Sequence, residues 1–196
     1  MKLEIQSQLI PGTLMDKLKM GNVTGLEFLN KIFYITDGIM LSQIREISGI
    51  DGSTLQNWTK RGWVANAHNK RYGKDQLARI LIINMMRESV QLERIATLLK
   101  YVNGRAGDPS DDIIPESLLY DYLCKIIDVI IEDEDGKAVN ADNVRELIKR
   151  TLEPYEECAP GARKRLESAC EIIIYAYYST LVRQRANAIY DSVFAR

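Results

Sequence analysis

The stretch that decides the fold is TLQNWTKRG at residues 54–62, which continues as WV at 63–64 and, after a polar turn, as KRY at 70–72. Ahead of it, residues 42–48 have the spacing of a short amphipathic helix, and Gly49 follows where a helix end needs a residue that tolerates positive φ. The predicted order is helix, tight turn, helix and basic hairpin. That order is typical of a winged helix-turn-helix, which presents its second helix to a DNA major groove.

The second helix of this unit separates apolar from polar side chains. Asp51 is a suitable N-cap, and Leu55 and Trp58 lie three residues apart, so they can anchor the helix to a core. On an isolated helix the remaining polar side chains would be an ordinary solvated face. Between a glycine turn and a basic hairpin they are candidates for base-edge and phosphate contacts. These candidates are Thr54, Gln56, Asn57, Lys60 and Arg61.

The segment after this helix is predicted to be the wing. We expect residues 63–65 to form its first strand and to pair with the strand that ends at Tyr72. Packing of Tyr72 into the core would fix the direction of the neighbouring cations, which suit backbone phosphates. The candidate contacts on the wing are His68, Lys70 and Arg71.

The charges are distributed unevenly along a chain whose net charge is only −1. Residues 1–35 sum to +1, residues 36–107 to +5 and residues 108–196 to −7. Contact with a polyanion is therefore expected from the middle of the chain. Uneven surface charge without a function is the alternative reading of this pattern.

Helical periodicity continues on both sides of the unit and predicts a mainly α fold. The polar, breaker-rich residues 104–112 are the best linker in the chain. We predict three parts: a leader with a short helix over 1–35, a winged helix-turn-helix over 36–105, and an all-helical dimerisation or effector domain over 110–196. The further predicted helices are residues 25–33, 75–88, 91–101, 115–132, 140–152 and 163–194.

The last predicted helix carries an apolar stripe. Its members are spaced three or four residues apart and are Leu166, Cys170, Ile173, Tyr177 and Leu181. Such a stripe on a long helix is either the core of a bundle or the seam of a dimer. The sequence leaves both alternatives open.

Other classes of protein are not indicated. The longest apolar runs are shorter than the roughly 20 residues of a membrane span, and no secretory signal is visible, so we expect a cytoplasmic protein without membrane contact. The three cysteines and the single histidine, His68, lack the spacing of a zinc site, and the acidic run at 132–135 lacks that of a calcium loop. No cofactor motif or catalytic set is present, so we expect neither bound metal, nor cofactor, nor enzymatic activity.

The unit resembles the DNA-binding domain of the mercury-resistance-regulator (MerR-like) family. That family's helix typically reads T-L-R-Y-Y-E-R-x-G-L where this chain has TLQNWTKRGWV at 54–64, and its wing ends in R-x-Y where this chain has KRY at 70–72. The segment QLERIATLL at 91–99 resembles a following helix of the family. The resemblance implies DNA contacts from Thr54, Gln56, Asn57, Lys60, Lys70 and Arg71.

The chain also departs from that family. Gln56 replaces the usual arginine, Asn57 replaces the first tyrosine, and the sensing cysteines have no counterpart. The whole chain resembles a group of uncharacterised Firmicute proteins of unknown function. We therefore expect a transcriptional regulator that binds double-stranded DNA as a homodimer and responds to an unknown small-molecule effector. The alternative is a protein-interaction module whose helix-turn-helix no longer binds DNA.

Overall fold

The computed structural model describes residues 9–132 and 140–194 and confirms a mainly helical fold. Every helix predicted from the sequence is present, with ends that differ by a few residues at most. In chain order the elements are α1 (Gly25–Ile32), β1 (Ile39–Met40), α2 (Leu41–Ser48), α3 (Gly52–Lys60), β2 (Arg71–Tyr72), α4 (Lys74–Met86), α5 (Leu92–Asn103), α6 (Glu116–Glu132), α7 (Ala141–Thr151) and α8 (Ala162–Phe194).

Helix α4 lies at the centre of the molecule. It packs against α6 and α8 and also contacts α2 and α5. Its side chains are buried on almost every side because residues 77–86 are an apolar run with a single charge, Arg79. A helix that is apolar all round is stable only when other elements surround it, so α4 fixes the positions of its neighbours.

The segment before α1 is held against α4 and α6. The Tyr120 hydroxyl donates to the Pro11 carbonyl at 2.7 Å, and the Asn84 amide donates to the Gly12 carbonyl at 2.8 Å. Gly12 has a φ of +74°, and a Cβ there would lie 2.5 Å from the Leu81 carbonyl oxygen. Only glycine lets the backbone approach α4 this closely.

One hydrophobic core joins the three parts predicted from the sequence. It includes residues of α1, α4, α6 and α8, and α1 packs directly on α6. On either side of the predicted linker, Val102 and Ile113 are both buried, at 1% and 5% exposure. Residues 104–112 thus connect α5 to α6 without interrupting the core. The boundaries at 1–35, 36–105 and 110–196 stay a prediction.

The apolar stripe predicted on the last helix forms part of this core. Leu166, Cys170, Ile173, Tyr177 and Leu181 are all buried, which decides between the two readings of the stripe in favour of a bundle core. Leu181 is the last buried residue of α8.

Cys124 and Cys170 are buried and Cys158 is exposed, and all three are free thiols. Within 9–132 and 140–194, no group of three His, Cys, Asp or Glu residues is placed to hold a metal ion. In the same part of the chain, no helix combines the length and the apolar character that crossing a membrane requires. Most of the acidic run, residues 133–135, lies outside the described residues.

Candidate nucleic-acid interface

Helices α2 and α3 are joined by a three-residue turn and contact each other. Gly49 ends α2 with a left-handed φ of 70°, as the sequence predicts. Ile44 of α2 and Leu55 of α3 are fully buried, so each helix is anchored to the core through its apolar face. The turn and these anchors fix the angle at which α3 is presented to solvent.

Helix α3 exposes the side chains predicted to contact bases. Leu55 and Trp58 are buried, with exposures of 0% and 1%, whereas Gln56, Asn57 and Lys60 are exposed. None of these three exposed side chains has a hydrogen bond or an ion pair with another described residue. They are therefore free to contact a ligand without first losing a partner.

Thr54 has a structural task at the start of α3. Its hydroxyl donates to the Asp51 carboxylate at 2.6 Å, and its backbone N–H donates to the same carboxylate at 2.8 Å. Hydrogen bonds from Ser53 and Thr54 hold the pKa of Asp51 well below its usual range, so this N-cap is charged at neutral pH. A fixed negative charge disfavours phosphate at the N-terminus of α3. Phosphates are better placed near Lys60 at the other end.

The hairpin after α3 is present but is built differently from the prediction. His68 and Arg71 exchange both backbone hydrogen bonds at 2.9 Å around Asn69 and Lys70, whose φ values of 49° and 61° are both left-handed. Positive φ at both central residues is what a type I′ turn requires, and Asn tolerates this conformation better than most residues. The turn places Lys70 at the exposed tip.

The prediction that residues 63–65 form the first strand of the wing is wrong. β2 pairs in antiparallel fashion with β1, and Tyr72 lies opposite Ile39. The carbonyls of Trp63 and Ala65 instead accept hydrogen bonds from α4 side chains: Arg79 at 2.6 Å and Gln76 at 3.0 Å. Because these side chains occupy the backbone groups that a strand would use, the segment after α3 does not join the sheet.

The cationic and histidine side chains near the hairpin differ in whether another residue already binds them. Arg61 forms an ion pair with Glu93 at 3.1 Å and lies over the Trp63 ring, 5.0 Å from its centroid. Arg71 donates to the Gly38 carbonyl at 2.8 Å, so its side chain fastens the hairpin to the segment before β1. The His68 ring is exposed and lies 3.2 Å from the Asn69 amide.

A buried ion pair that the sequence patterns did not predict lies behind this surface. Arg79 of α4 pairs with Glu116 of α6, and both are more than nine-tenths buried. The same guanidinium donates to Trp63 and so links the end of α3 to the helical half. A signal was available, because a single charge inside an apolar helix must find a partner.

Asp112 lies beside this pair, and its carboxyl group has an altered pKa. Desolvation and the charges of Glu116, Asp111 and Asp75 raise the pKa of Asp112 from 3.8 to about 6, against the opposing effect of Arg79. A raised carboxyl pKa favours the folded state at low pH, and this contribution is lost as pH rises from about 4 through about 6.

Asp112→Asn should therefore raise the free energy of unfolding at pH 7.5, by up to about 1 kcal/mol after solvent screening. The difference from the wild type should vanish near pH 4. Urea unfolding at the two pH values measures it. An equal difference at both would show that the charge of Asp112 is not the cause.

The fold and this surface define a mainly helical protein with a solvent-facing helix and hairpin. The chain belongs to the family described as "Domain of unknown function (DUF1836)", whose model matches residues 26–123, from α1 into α6. Over 119 residues it is 24% identical to "Uncharacterized protein YkrK" of Bacillus subtilis (strain 168). That match covers 59% of this chain and 51% of the relative, so the chain spans about half the length of the curated relative it matches. No solved structure matches the chain.

Proposed function

We propose that this protein is a transcriptional regulator that binds double-stranded DNA through a winged helix-turn-helix of the MerR-like kind. In this proposal α3 enters the major groove, and the hairpin at residues 68–71 lies on the backbone beside it. The observation that carries it is the division of α3 into a buried anchor and an exposed face of Gln56, Asn57 and Lys60.

The side chains of α3 match the chemistry of base recognition. Gln56 and Asn57 carry amides that can pair in bidentate fashion with adenine, while Lys60 can reach phosphate or guanine. Lys70 at the hairpin tip is a second exposed cation, and Arg71 stiffens the hairpin that carries it. The basic charge of residues 36–107 supports the approach to a polyanion.

The rival proposal is a protein-interaction module, in which the acidic helical half would compete for the basic face. Gln56, Asn57, Lys60, Lys70 and Arg71 are all exposed, so no described residue of the helical half covers them. This exposure favours the DNA proposal.

The proposal includes a homodimer, because one module of this size makes few base contacts and regulators of this kind bind two half-sites. In this proposal the second copy contacts the side of α8 opposite its buried stripe, where Tyr175 also packs against the core. There the side chains at 172, 175, 179, 182, 186, 189 and 193 alternate in spacings of three and four residues. That alternation is the repeat by which two helices pack along a seam.

The test is DNA binding across a salt series. Fluorescent fragments of the upstream region of the gene are titrated with the wild type and with Lys60→Gln/Lys70→Gln. Neither lysine has a partner among the described residues, so the fold should be preserved. We expect weaker binding and a salt slope that is smaller by about two, since each phosphate contact contributes about 0.9.

The matched control is Lys149→Gln/Arg150→Gln, which removes the same charge from exposed positions of α7. It should retain the affinity and the slope of the wild type. Absence of wild-type binding at low salt would contradict the proposal and favour the protein-interaction module.

A further inference from the structure

A cavity of about 440 Å³ lies behind the proposed DNA-binding surface. Its walls come from the start of α4, from the segment that connects α5 to α6, and from the start of α6. Ala65, in the segment between α3 and the hairpin, also contributes. The volume is within the range of small-molecule sites, which are commonly about 300–1,000 Å³.

Glu116, whose carboxylate has one buried oxygen without a hydrogen-bond donor, is among the residues that line this cavity. Glu116 is only 7% exposed, and its Oε1 accepts from Arg79. Its Oε2 is buried and has no hydrogen-bond partner within 9–132 and 140–194. The amide of Asn103 lies close enough to help lower the pKa of Glu116, and its 2.7 Å hydrogen bond to the Ile114 carbonyl uses one of its two N–H groups. An ionised carboxylate accepts several hydrogen bonds, so Glu116 has capacity for a further donor.

The charge around the cavity is unbalanced toward negative. Asp75, Asp112 and Glu116 line it, and Arg79 is the buried cation that faces them. Two nitrogens of the Arg79 guanidinium are already occupied, by Trp63 and by Glu116. Arg105, the other cation of the lining, is exposed and has no ion pair with a described residue. The excess carboxylate charge favours a ligand that is both a cation and a hydrogen-bond donor.

The form of the cavity narrows the choice of cation. In the described part of the chain, no three acidic side chains converge closely enough to hold a metal ion. The remaining walls are largely apolar and include Pro109, Ile113, Ile114 and Pro115. Separated carboxylates beside apolar walls suit an organic cation with a hydrocarbon body.

We propose that this cavity binds a small amine or guanidine with a short hydrocarbon body, whose cationic head is held by Glu116 and Asp112. The apolar body contacts the isoleucine and proline side chains of the segment before α6. The head supplies the donor that Glu116 Oε2 lacks and neutralises part of the charge that Asp112 and Asp75 share.

The site is also placed to affect the proposed DNA contacts, a consequence that rests on the proposed function. Gln76 lines the cavity and donates to the carbonyls of Ala65 and Asn66, which lead into the hairpin. The backbone N–H of Ser117 donates to Asp75 at 2.8 Å, which ties the start of α6 to the start of α4. A bound cation would thus bridge the hairpin connection and the helical half, as an effector does.

The test measures binding by the full-length protein without DNA. Benzylamine, phenethylamine and agmatine are titrated by calorimetry at constant ionic strength, with benzyl alcohol as the uncharged comparison. We expect saturable binding of at least one amine, and Asp112→Asn should weaken it at least threefold. Glu116→Gln should weaken it at least tenfold. Glu146→Gln, an exposed acid of α7, is the matched control and should bind as the wild type does.

If Glu116→Gln does not fold, Asp112→Asn decides, since Asp112 is half-exposed and has no hydrogen bond with a described residue. Binding no better than that of benzyl alcohol, or unchanged in Asp112→Asn, would overturn the site. Amine binding that leaves DNA affinity unchanged would support the site and overturn only its regulatory role. Loss of DNA binding by the lysine variants bears on the proposed function alone.

Discussion

Replacing Arg79 with methionine is expected to lower the free energy of unfolding by about 3–5 kcal/mol. The guanidinium is buried against Glu116, with side-chain exposures of 6% and 9%. Methionine fills similar space but leaves the Glu116 carboxylate buried without its cation, and the cost of desolvating an unpaired charge is large. Urea unfolding at pH 7.5 measures the loss.

The pair Arg145–Glu171 provides the control. The same substitution there, Arg145→Met, breaks an ion pair of 2.8 Å whose arginine side chain is 58% exposed. Exposed pairs contribute at most about 1 kcal/mol, so this variant should remain close to the wild type. If Arg79→Met and Arg145→Met lowered the free energy of unfolding equally, burial of the Arg79–Glu116 pair would not be the cause of the loss.

The loss in Arg79→Met should also depend on pH. Burial already raises the pKa of Glu116, and the charge of Arg79 is the main effect that opposes this rise. Without Arg79 the carboxyl should take up a proton more readily in the folded state, which removes the unpaired charge. The destabilisation should therefore be smaller at pH 4.5 than at pH 7.5. The double variant Arg79→Met/Glu116→Leu should recover much of the loss at both pH values.

The helices were predictable from the sequence because each carries its own signals. A period of three to four apolar residues marks the body of a helix, and Gly49, Gly104 and Pro115 mark ends that the structure confirms. The N-cap role of Asp51 is equally local, because its carboxylate bonds to a backbone N–H only three residues away.

The sheet and the cavity could not be predicted in the same way. β1 and β2 have two residues each, which is too short for a period to appear, and their pairing joins segments about thirty residues apart. Residues 63–65 have the composition of a strand, yet the side chains of Arg79 and Gln76 take their carbonyls. The partners of Glu116 likewise depend on how α4 packs on α6. Contacts between residues distant in the sequence determine the strand pairing, the conformation of residues 63–65 and the partners of Glu116. A local sequence pattern does not predict such contacts.

The same limit applies to the candidate DNA contacts. Their exposure on α3 follows from the burial of Leu55 and Trp58, which the sequence predicts. The contact of Thr54 with Asp51 is local, like the N-cap itself. The tasks of Arg61 and Arg71 do not follow from the helix pattern, because each is set by a partner more than thirty residues away in the chain. Lys60 and Lys70 are therefore better test positions for phosphate contact than the adjacent arginines.

The two ends of helix α8 place their apolar side chains on opposite sides of the helix. The first part directs them to the core, and the last part directs them to solvent. The buried stripe ends at Leu181, and residues 183–194 continue as an exposed helix about 18 Å long at 1.5 Å per residue. Along this extension Ile189 is 50% exposed, Val193 65% and Tyr190 63%. A helical extension of this length is only marginally stable without packing, so these apolar side chains need a partner.

In the proposed dimer, a second copy of α8 covers this surface. The exposed stripe has the three-and-four spacing over residues 172–193, and a seam with this repeat accepts another helix with the same repeat. Arg183 and Arg185 flank the stripe, and Arg183 is held by Glu88 of the same chain at 2.5 Å. A copy related by two-fold symmetry buries the stripe of each chain at once.

Ile189→Glu/Val193→Glu should therefore convert the proposed dimer into a monomer. Burial of an aliphatic side chain contributes about 1.5–3 kcal/mol, and a symmetric dimer contains each substituted position twice. Several kcal/mol lost from association correspond to a dissociation constant weakened by at least about 100-fold. Sedimentation equilibrium over a range of protein concentrations measures the constant.

The matched control adds the same two charges to the other side of the same turns. Asn187→Glu/Ala188→Glu lies away from the stripe at positions that are exposed, so its dissociation constant should be that of the wild type. A wild type that stays monomeric at high micromolar concentration would exclude a second copy as the occupant of the stripe. In the proposed complex the monomeric variant should still bind a single DNA half-site through α3, with a smaller salt slope than the dimer on a two-fold site.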